Sequence, residues 1–590
     1  MKSPVLCLLL TLSICVLAQS LQAQLFETIT SGSIATSQRD SRSCNFIDIN
    51  DDGFDDIFIT NGPSGGQSNQ LFLSNGDGTF SAITNDPIIQ DQSASDGASF
   101  GDVDNDGDLD AFVVTWYGER YYFYRNNGNG TFSFESSVAH TGNGTYSETC
   151  SWGDYDQDGW LDLYVTNSTD FATNAATIKR NQLWHNTGSG GLERIINSAV
   201  VTDADISRSV QWIDYDLDGD QDLFVGNEEN EQNRLYENTG GIFGNISSPI
   251  TTGNRSSTGS SWGDIDNDGD FDLFVANFSN QNNQLFQNNG DGTFTPISSN
   301  ALPADGGCSF GSAFGDYDND GDLDLFVANG FCGNNLQNFL YRNNGDGTFS
   351  RDNSSINNLN TQCSFGAAWG DYDNDGFLDL VVANCKGNSS QSQPPNTLLH
   401  NTGNGNNWIK FRLEGVVSNR SSIGAFVRVQ AEIDGQSVWQ TRTINGQTGY
   451  NGQNSLTVHF GLKDATQLDS VQIIWPSGLE NRLSGLIANR THDFMEPTTN
   501  NSSGAIEGTP FIKISPNPSR ELVRLELLTA PTPGKSTLRL HDTNGRLVVE
   551  YQLEPLQKTL ELNVGHLPQG VYMLQFSQAD QQFTRPLVLH

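Results

Sequence analysis

Short apolar runs of four or five residues, rich in β-branched and aromatic side chains, punctuate the first two-thirds of this chain. Asp272-Leu-Phe-Val-Ala-Asn277 is typical, and equivalent runs follow Asp56, Asp110, Asp162, Asp222, Asp324 and Asp379. Each run is too short for a helix and ends in turn-forming sequence, so it predicts a buried strand. A second run comes later in each period, as in Asn69-Gln-Leu-Phe-Leu-Ser-Asn-Gly-Asp-Gly-Thr-Phe80. There Asn-Gly and Asp-Gly turn the chain, and Thr-Phe begins a further strand. Upstream of the first run stands an aromatic residue: Phe46, Phe100, Trp152, Trp212, Trp262, Phe314 and Trp369. These predict core packing on a strand of their own. Each period therefore holds four strands.

The polar sequence between the first two strands repeats as well. It reads Asp-x-Asp-x-Asp-Gly-x-x-Asp and begins at Asp48, Asp102, Asp154, Asp214, Asp264, Asp316 and Asp371. Carboxylates crowded at alternate positions repel one another unless a hard cation lies between them, and calcium takes six to eight oxygen ligands in a tolerant geometry. The predicted ligands are Asp48, Asn50, Asp52 and Asp56; Asp102, Asp104, Asp106 and Asp110; Asp154, Asp156, Asp158 and Asp162; and Asp214, Asp216, Asp218 and Asp222. They continue with Asp264, Asp266, Asp268 and Asp272; Asp316, Asp318, Asp320 and Asp324; and Asp371, Asp373, Asp375 and Asp379. About seven calcium ions follow, one per loop. An EF-hand would end in a bidentate Glu at the twelfth place. Here that place holds Ile59, Val113, Val165, Val225, Val275, Val327 and Val382, which excludes it.

Successive first Asp residues lie between 50 and 60 positions apart, as from Asp214 to Asp264 and from Asp154 to Asp214. A period of this length holding four short strands predicts a propeller with one sheet per repeat. The seventh period reaches Asn396-Thr-Leu-Leu-His400 and a Gly turn but lacks the Thr-Phe strand. Leu25-Phe-Glu-Thr-Ile-Thr30 looks like that missing piece, so residues 25–35 are predicted to close the last blade. The expected fold is all-β, a seven-bladed propeller over 24–405. These repeats resemble the FG-GAP or VCBS family, which includes the integrin α-chain propeller. The resemblance implies that the Asp-rich loops hold structural calcium at the blade turns.

After Trp408 the repeat stops. Ser418-Asn-Arg-Ser-Ser-Ile-Gly424, Gly449-Tyr-Asn-Gly-Gln453, His459-Phe-Gly-Leu462 and Trp475-Pro-Ser-Gly478 resemble the ASPIC/UnbV domain of cartilage acidic protein-like secreted proteins. Residues 406–496 are thus expected to form a small β domain, followed by a linker over 497–510. Beyond it, Ile514-Ser-Pro-Asn-Pro518, Asp542-Thr-Asn-Gly-Arg546 and Leu567-Pro-Gln-Gly-Val-Tyr572 resemble the type IX secretion C-terminal sorting domain. That resemblance implies a β-sandwich over 511–590, the type IX secretion machinery as a partner, and the outer-membrane surface or exterior of a Bacteroidetes-type bacterium as the destination.

Lys2 followed by an apolar run and ending near Ala23 predicts a secretory signal over 1–23. No other segment is apolar for long enough to span a bilayer, so no transmembrane segment is expected. The net charge of −40 argues against nucleic acid as a partner. The 28 ligand positions hold 27 carboxylates, so much of the acidity is metal-binding inventory. Export permits disulfides, predicted for Cys308 with Cys332 and Cys363 with Cys385, while Cys44 and Cys150 stand where other repeats have small residues and read as buried thiols.

No catalytic residue is expected. Gly259-Ser-Ser-Trp-Gly263 mimics a nucleophile elbow, but no helix follows it. The expected role is adhesion to, or binding of, an extracellular glycan or protein through loops on a stiff scaffold. Segments Ser168–Arg180 and Asn329–Gln337 would vary the binding face. Tyr117, Tyr121, Tyr122, Phe171 and Phe331 are either stacking residues for a ligand or plain blade packing. A calcium-dependent polysaccharide lyase and a purely structural surface protein remain as alternatives.

Overall fold

The computed structural model describes residues 24–499 except 137–144, 170–178, 189, 299–301, 303–306, 332–336, 357–361 and 388–392, and most of residues 512–589. The predicted signal, most of the predicted linker, Cys332 and Phe171 lie outside the described residues.

Seven antiparallel sheets form the propeller. Blades 1 to 6 span residues 41–82, 95–134, 147–195, 207–246, 257–296 and 309–351. Blade 7 combines residues 363–401 with the strand Phe26–Thr28, which pairs Phe26 with Asn401 and Thr28 with Leu399. That strand is shorter than the sequence suggests, because a helical turn takes Gly32–Thr36. In blade 5 the strands are Ser257–Gly263, Asp272–Asn277, Gln284–Asn288 and Phe294–Pro296. The two inner strands are buried throughout because a neighbouring blade covers each face, which explains why their sequences run apolar or small without alternation. The third strand is partly buried, with Gln284 and Gln287 half-buried around Leu285 and Phe286, and the fourth is mostly exposed at the rim.

The aromatic residue two places before each loop is the wedge between blades. Trp152 donates its indole N–H to Ser99 O of blade 2 at 3.1 Å, Trp212 to Ser151 O of blade 3 at 3.2 Å, and Trp369 to Ala313 O of blade 6 at 3.0 Å. Five of the rings lie on a glycine of the preceding blade: a Cβ on Gly153 would come within 2.5 Å of Trp212, and one on Gly370 within 2.5 Å of Phe46. The contact from Gly370 to Phe46 closes the circle from blade 7 to blade 1. Trp212 is fully buried, so Trp212→Ala is expected to cost ~3–5 kcal/mol, read as a shift of the urea midpoint.

Residues 407–495 form two further sheets, one of three strands and one of four. Their core is continuous with blades 2 and 3: Phe112, Trp152 and Leu161 belong to one buried cluster with Ile409, Phe411, Val427 and Trp475. The C-terminal strands also form a three-stranded and a four-stranded sheet, packed around Val523, Leu525, Leu538 and Leu574.

Cys363 and Cys385 are opposite each other on the first two strands of blade 7 and form a disulfide. Cys308 is also disulfide-bonded. Cys44 and Cys150 are buried free thiols, and burial pushes both well above the ordinary thiol range. Tyr121 and Tyr122 are blade core and present no ligand surface. Phe331 packs on Phe310 and Phe365, whereas Tyr117 is 43% exposed.

Candidate metal centres in the blade loops

Each Asp-rich loop is the hairpin between the first and second strands, closed in blade 5 by the pair Gly263–Asp272. Two left-handed residues coil it tightly. The fourth position has φ between 52° and 60° in all seven loops, at Asp51, Asn105, Gln157, Leu217, Asn267, Asn319 and Asn374. Asn and Asp accept this conformation more readily than other non-Gly residues, which accounts for five of the seven identities. The sixth position, the repeat's Gly, lies between 87° and 104°, where a side chain would be strained.

The coil aims the carboxylates inward and holds them with backbone donors. Asp48 accepts from the Asp52 and Gly53 N–H groups at 3.0 and 2.8 Å, and Asp102 from those of Asp106 and Gly107 at 3.0 and 2.7 Å. The ninth-position Asp is buried at the sheet edge. Asp56 accepts from Ile49 N at 3.0 Å and Ser74 N at 2.7 Å, and Asp272 from Ile265 N at 3.1 Å and Asn288 N at 2.8 Å. Asn288 also reaches back to Tyr215 O in the loop of blade 4 at 2.8 Å. Asn126, Asn186, Asn238, Asn343 and Asn401 make the same bridge between neighbouring loops. These buried asparagines are visible in the sequence as the Asn before each Gly turn, but sequence reasoning read them only as turn formers.

In five loops one oxygen at the second ligand position is unsatisfied by the protein. Asp104, Asp156, Asp216, Asp266 and Asp318 each bury an Oδ1 that has no hydrogen-bond partner. A buried carboxylate oxygen without a donor is costly. Ligand oxygens of Asp102, Asp104 and Asp106, of Asp154, Asp156 and Asp162, and of Asp214, Asp216 and Asp218 lie within 4.8 Å of one another. With protein groups alone, desolvation pushes these carboxyls far up: Asp48, Asp154 and Asp222 reach about 7, 8 and 9, with neighbouring loop carboxylates adding to the rise. Orphaned oxygens, mutual repulsion and an all-oxygen donor set fit a hard divalent cation. Asn50 departs from the set and donates its amide to Asp52 at 3.0 Å.

The residue before each bridging Asn overhangs its loop, which the sequence reading missed. His185 approaches Asp156 and Asp162 at 3.3 and 3.2 Å, and His400 approaches Asp379 at 3.2 Å. Arg125 and Arg342 occupy the same place in blades 2 and 6.

The second domain covers the loop face. Ser421 Oγ accepts from Asp102 N at 2.7 Å, Asp316 accepts from Gly461 N at 3.1 Å, and Lys410 donates to Asp371 at 2.5 Å and Asn374 at 2.7 Å. Its segment Gly446–Asn454 runs into the centre of the propeller and touches every blade. Gly452 and Gln453 pair in parallel with Cys44 and Asn45 of blade 1, and Gln453 exchanges two 2.9 Å hydrogen bonds with Phe100 of blade 2. Tyr450 donates to Glu148 of blade 3 at 2.9 Å and accepts from Arg208 of blade 4. Ser261 of blade 5 donates to Thr448 O, Asn454 donates to Phe314 O of blade 6, and Trp369 N of blade 7 donates to Asn454. On the opposite face Tyr117 stands on a strand connection beside Trp116, whose indole N–H donates at 2.7 Å to Glu148, the same carboxylate that Tyr450 reaches through the centre.

Among the described residues no helix is long and apolar enough to cross a membrane. A profile described as FG-GAP-like repeat matches residues 48–113, 102–165, 214–275, 264–327 and 329–382. Profiles for ASPIC and UnbV and for a secretion system C-terminal sorting domain match 415–501 and 513–590. Human cartilage acidic protein 1 is 31% identical over 170 residues, 28% of this chain and 24% of the human protein. The mouse protein is 30% identical over 169 residues, 28% of this chain and 25% of its own length. The chain thus spans about a quarter of the curated relatives it matches. Among solved structures, YCF48 from Cyanidioschyzon merolae overlays with a TM-score of 0.37 at 9% identity, over 64% of this chain and 98% of YCF48. An overlay that loose says nothing of function. The sorting domain addresses the chain for export to the exterior or outer-membrane surface of a Bacteroidetes-type cell. With a loop in every blade, a domain docked on those loops and a sorting tail, the chain belongs to the FG-GAP-like repeat proteins that carry an ASPIC and UnbV domain and a secretion system sorting domain.

Proposed function

We propose that this protein is a calcium-stabilised binding module at the bacterial surface, taking an extracellular glycan or protein on the face opposite its metal loops. Calcium is held by the 28 loop positions named above and acts through folding. The observation that carries the calcium reading is the buried, unpartnered Oδ1 at the second ligand place of five loops. The binding face is assigned by elimination, because the second domain occupies the loop face. On the opposite face Tyr117 is exposed and its ring lies 5.2 Å from Trp116 and 6.2 Å from Tyr146. An aromatic cluster of this kind suits a sugar ring or an apolar side chain.

The test is a glycan and matrix-protein binding panel on the full chain in calcium, with supernatants assayed for unsaturated uronates. Saturable binding without products is expected, and Tyr117→Ala should weaken it about tenfold. Product release would replace binding by lyase chemistry. Absence of both would leave a structural surface protein.

A further inference from the structure

The seven loops differ in one respect that bears directly on which of them hold calcium tightly. The overhanging residue of the third strand is Leu73, Arg125, His185, Glu237, Gln287, Arg342 and His400 in blades 1 to 7. In blade 2, Arg125 places one guanidinium nitrogen 3.3 Å from Asp104 and 2.6 Å from Asp110, the second and fourth ligands. Contacts outside the loop also fix this arginine, which donates to Gly190 O at 2.9 Å and lies 4.5 Å over the Phe123 ring. In blade 6, Arg342 stands 2.6 Å from Asp318 and 3.3 Å from Asp320, the second and third ligands. A guanidinium keeps its charge in a protein. It therefore repels a divalent ion at close range and competes for the same oxygens.

Blade 4 is the opposite case. Its third strand carries Glu237 at the place where blades 2 and 6 carry arginine. The loop glycine Gly219 has no heavy atom within 4 Å of its Cβ position, while Gly424 of the second domain lies against Gln221 of the same loop. In blade 5 the overhanging Gln287 is neutral and donates to Asp266 at 2.7 Å.

We infer that a third-strand guanidinium weakens the loop it overhangs, so that Arg125 and Arg342 make the sites of blades 2 and 6 weaker than those of blades 4 and 5, where Glu237 and Gln287 stand in its place. The inference rests on the calcium reading above and deepens it. The scaffold then holds the ions of blades 4 and 5 more tightly than those of blades 2 and 6. These load only as calcium rises, so the number of bound ions follows the calcium outside the cell.

Equilibrium dialysis of the full chain against a calcium series, with bound calcium measured by atomic emission, tests this. The wild-type chain should show at least two classes of site. Arg125→Gln and Arg342→Gln should each move one ion from the weak class to a class roughly tenfold tighter, and Glu237→Arg should remove one tight ion. A melt of each variant in saturating calcium checks that it folds. Equivalent sites in the wild type, with all three variants unchanged, would overturn the grading and leave the calcium reading standing. No bound calcium at any concentration would overturn both.

Discussion

In chelator, the melting temperature of this protein should fall steadily as pH rises from about 4 to about 8, by on the order of 10 °C. The loop carboxyls supply the reason. Desolvation, with backbone donors only partly offsetting it and with neighbouring Asp residues adding to it, raises Asp56 and Asp110 to about 8 and Asp162 and Asp214 to about 7. Desolvation by burial also raises Asp102, Asp272, Asp316, Asp324 and Asp379 well above the ordinary carboxylate range. A carboxyl whose folded value exceeds its unfolded one binds more protons in the native state. Its contribution to stability is complete below the unfolded value, near 4, and is lost as pH climbs through the folded value. Calcium reverses this, because it binds the ionised loop and displaces protons. In millimolar calcium the fall between pH 4 and 8 should disappear. Melting curves at five pH values, with and without calcium, check both statements. A chelated protein that is most stable near pH 8 would contradict them.

The second large effect concerns the segment that fills the propeller axis. A Cβ on Gly452 would lie 2.1 Å from Ala367 O, and one on Gly449 2.1 Å from Ser312 O. Both are backbone contacts and cannot relax by a rotamer change. Gly452→Val should therefore push the segment off blades 1 and 7 at a cost of ~4 kcal/mol or more, at the severe end for a single substitution. The loss should not stay local. Asn451 donates to the buried Asp96 at 2.7 Å, and Tyr450 pairs with Glu148, so withdrawal strands two carboxylates inside the ring. Limited proteolysis should cut the variant between residues 401 and 407 at protease levels that leave the wild type intact. Equal resistance would mean that the domain is held by the loop contacts alone.

Much of this architecture is legible in the sequence because each cue is local. The Asp-rich loop, the apolar run beyond it and the Gly turn each dictate their own geometry, and the missing Thr-Phe strand of the last repeat has its counterpart at Phe26. Cys363 and Cys385 could be paired because both flank one hairpin. The plug is a different matter. In the sequence Gly449-Tyr-Asn-Gly-Gln453 stands only among the motifs of the ASPIC/UnbV resemblance, and only the tertiary arrangement reveals that its glycines allow backbone to approach Ser312 and Ala367 closely. Tyr121 and Tyr122 stay open between stacking and packing in the sequence for the same reason, since an aromatic near a loop does not declare which way it points. The overhanging Arg125, Arg342 and Glu237 lie some twenty residues beyond the loops they face, with no spacing rule to tie them together.

The central claim is that the loop carboxylates are stabilising only as metal ligands. Asp216→Asn tests it most directly. Asp216 Oδ1 has no hydrogen-bond partner and the change is isosteric, so the protein loses a ligand charge with little change in shape. Melting temperature of the full chain, measured in millimolar calcium and again in chelator, is the measurement. The account predicts a clear drop in calcium, and in chelator no drop or a small rise, because one repelling carboxylate is gone. An equal loss in both conditions would contradict it and return the seven loops to ordinary turns.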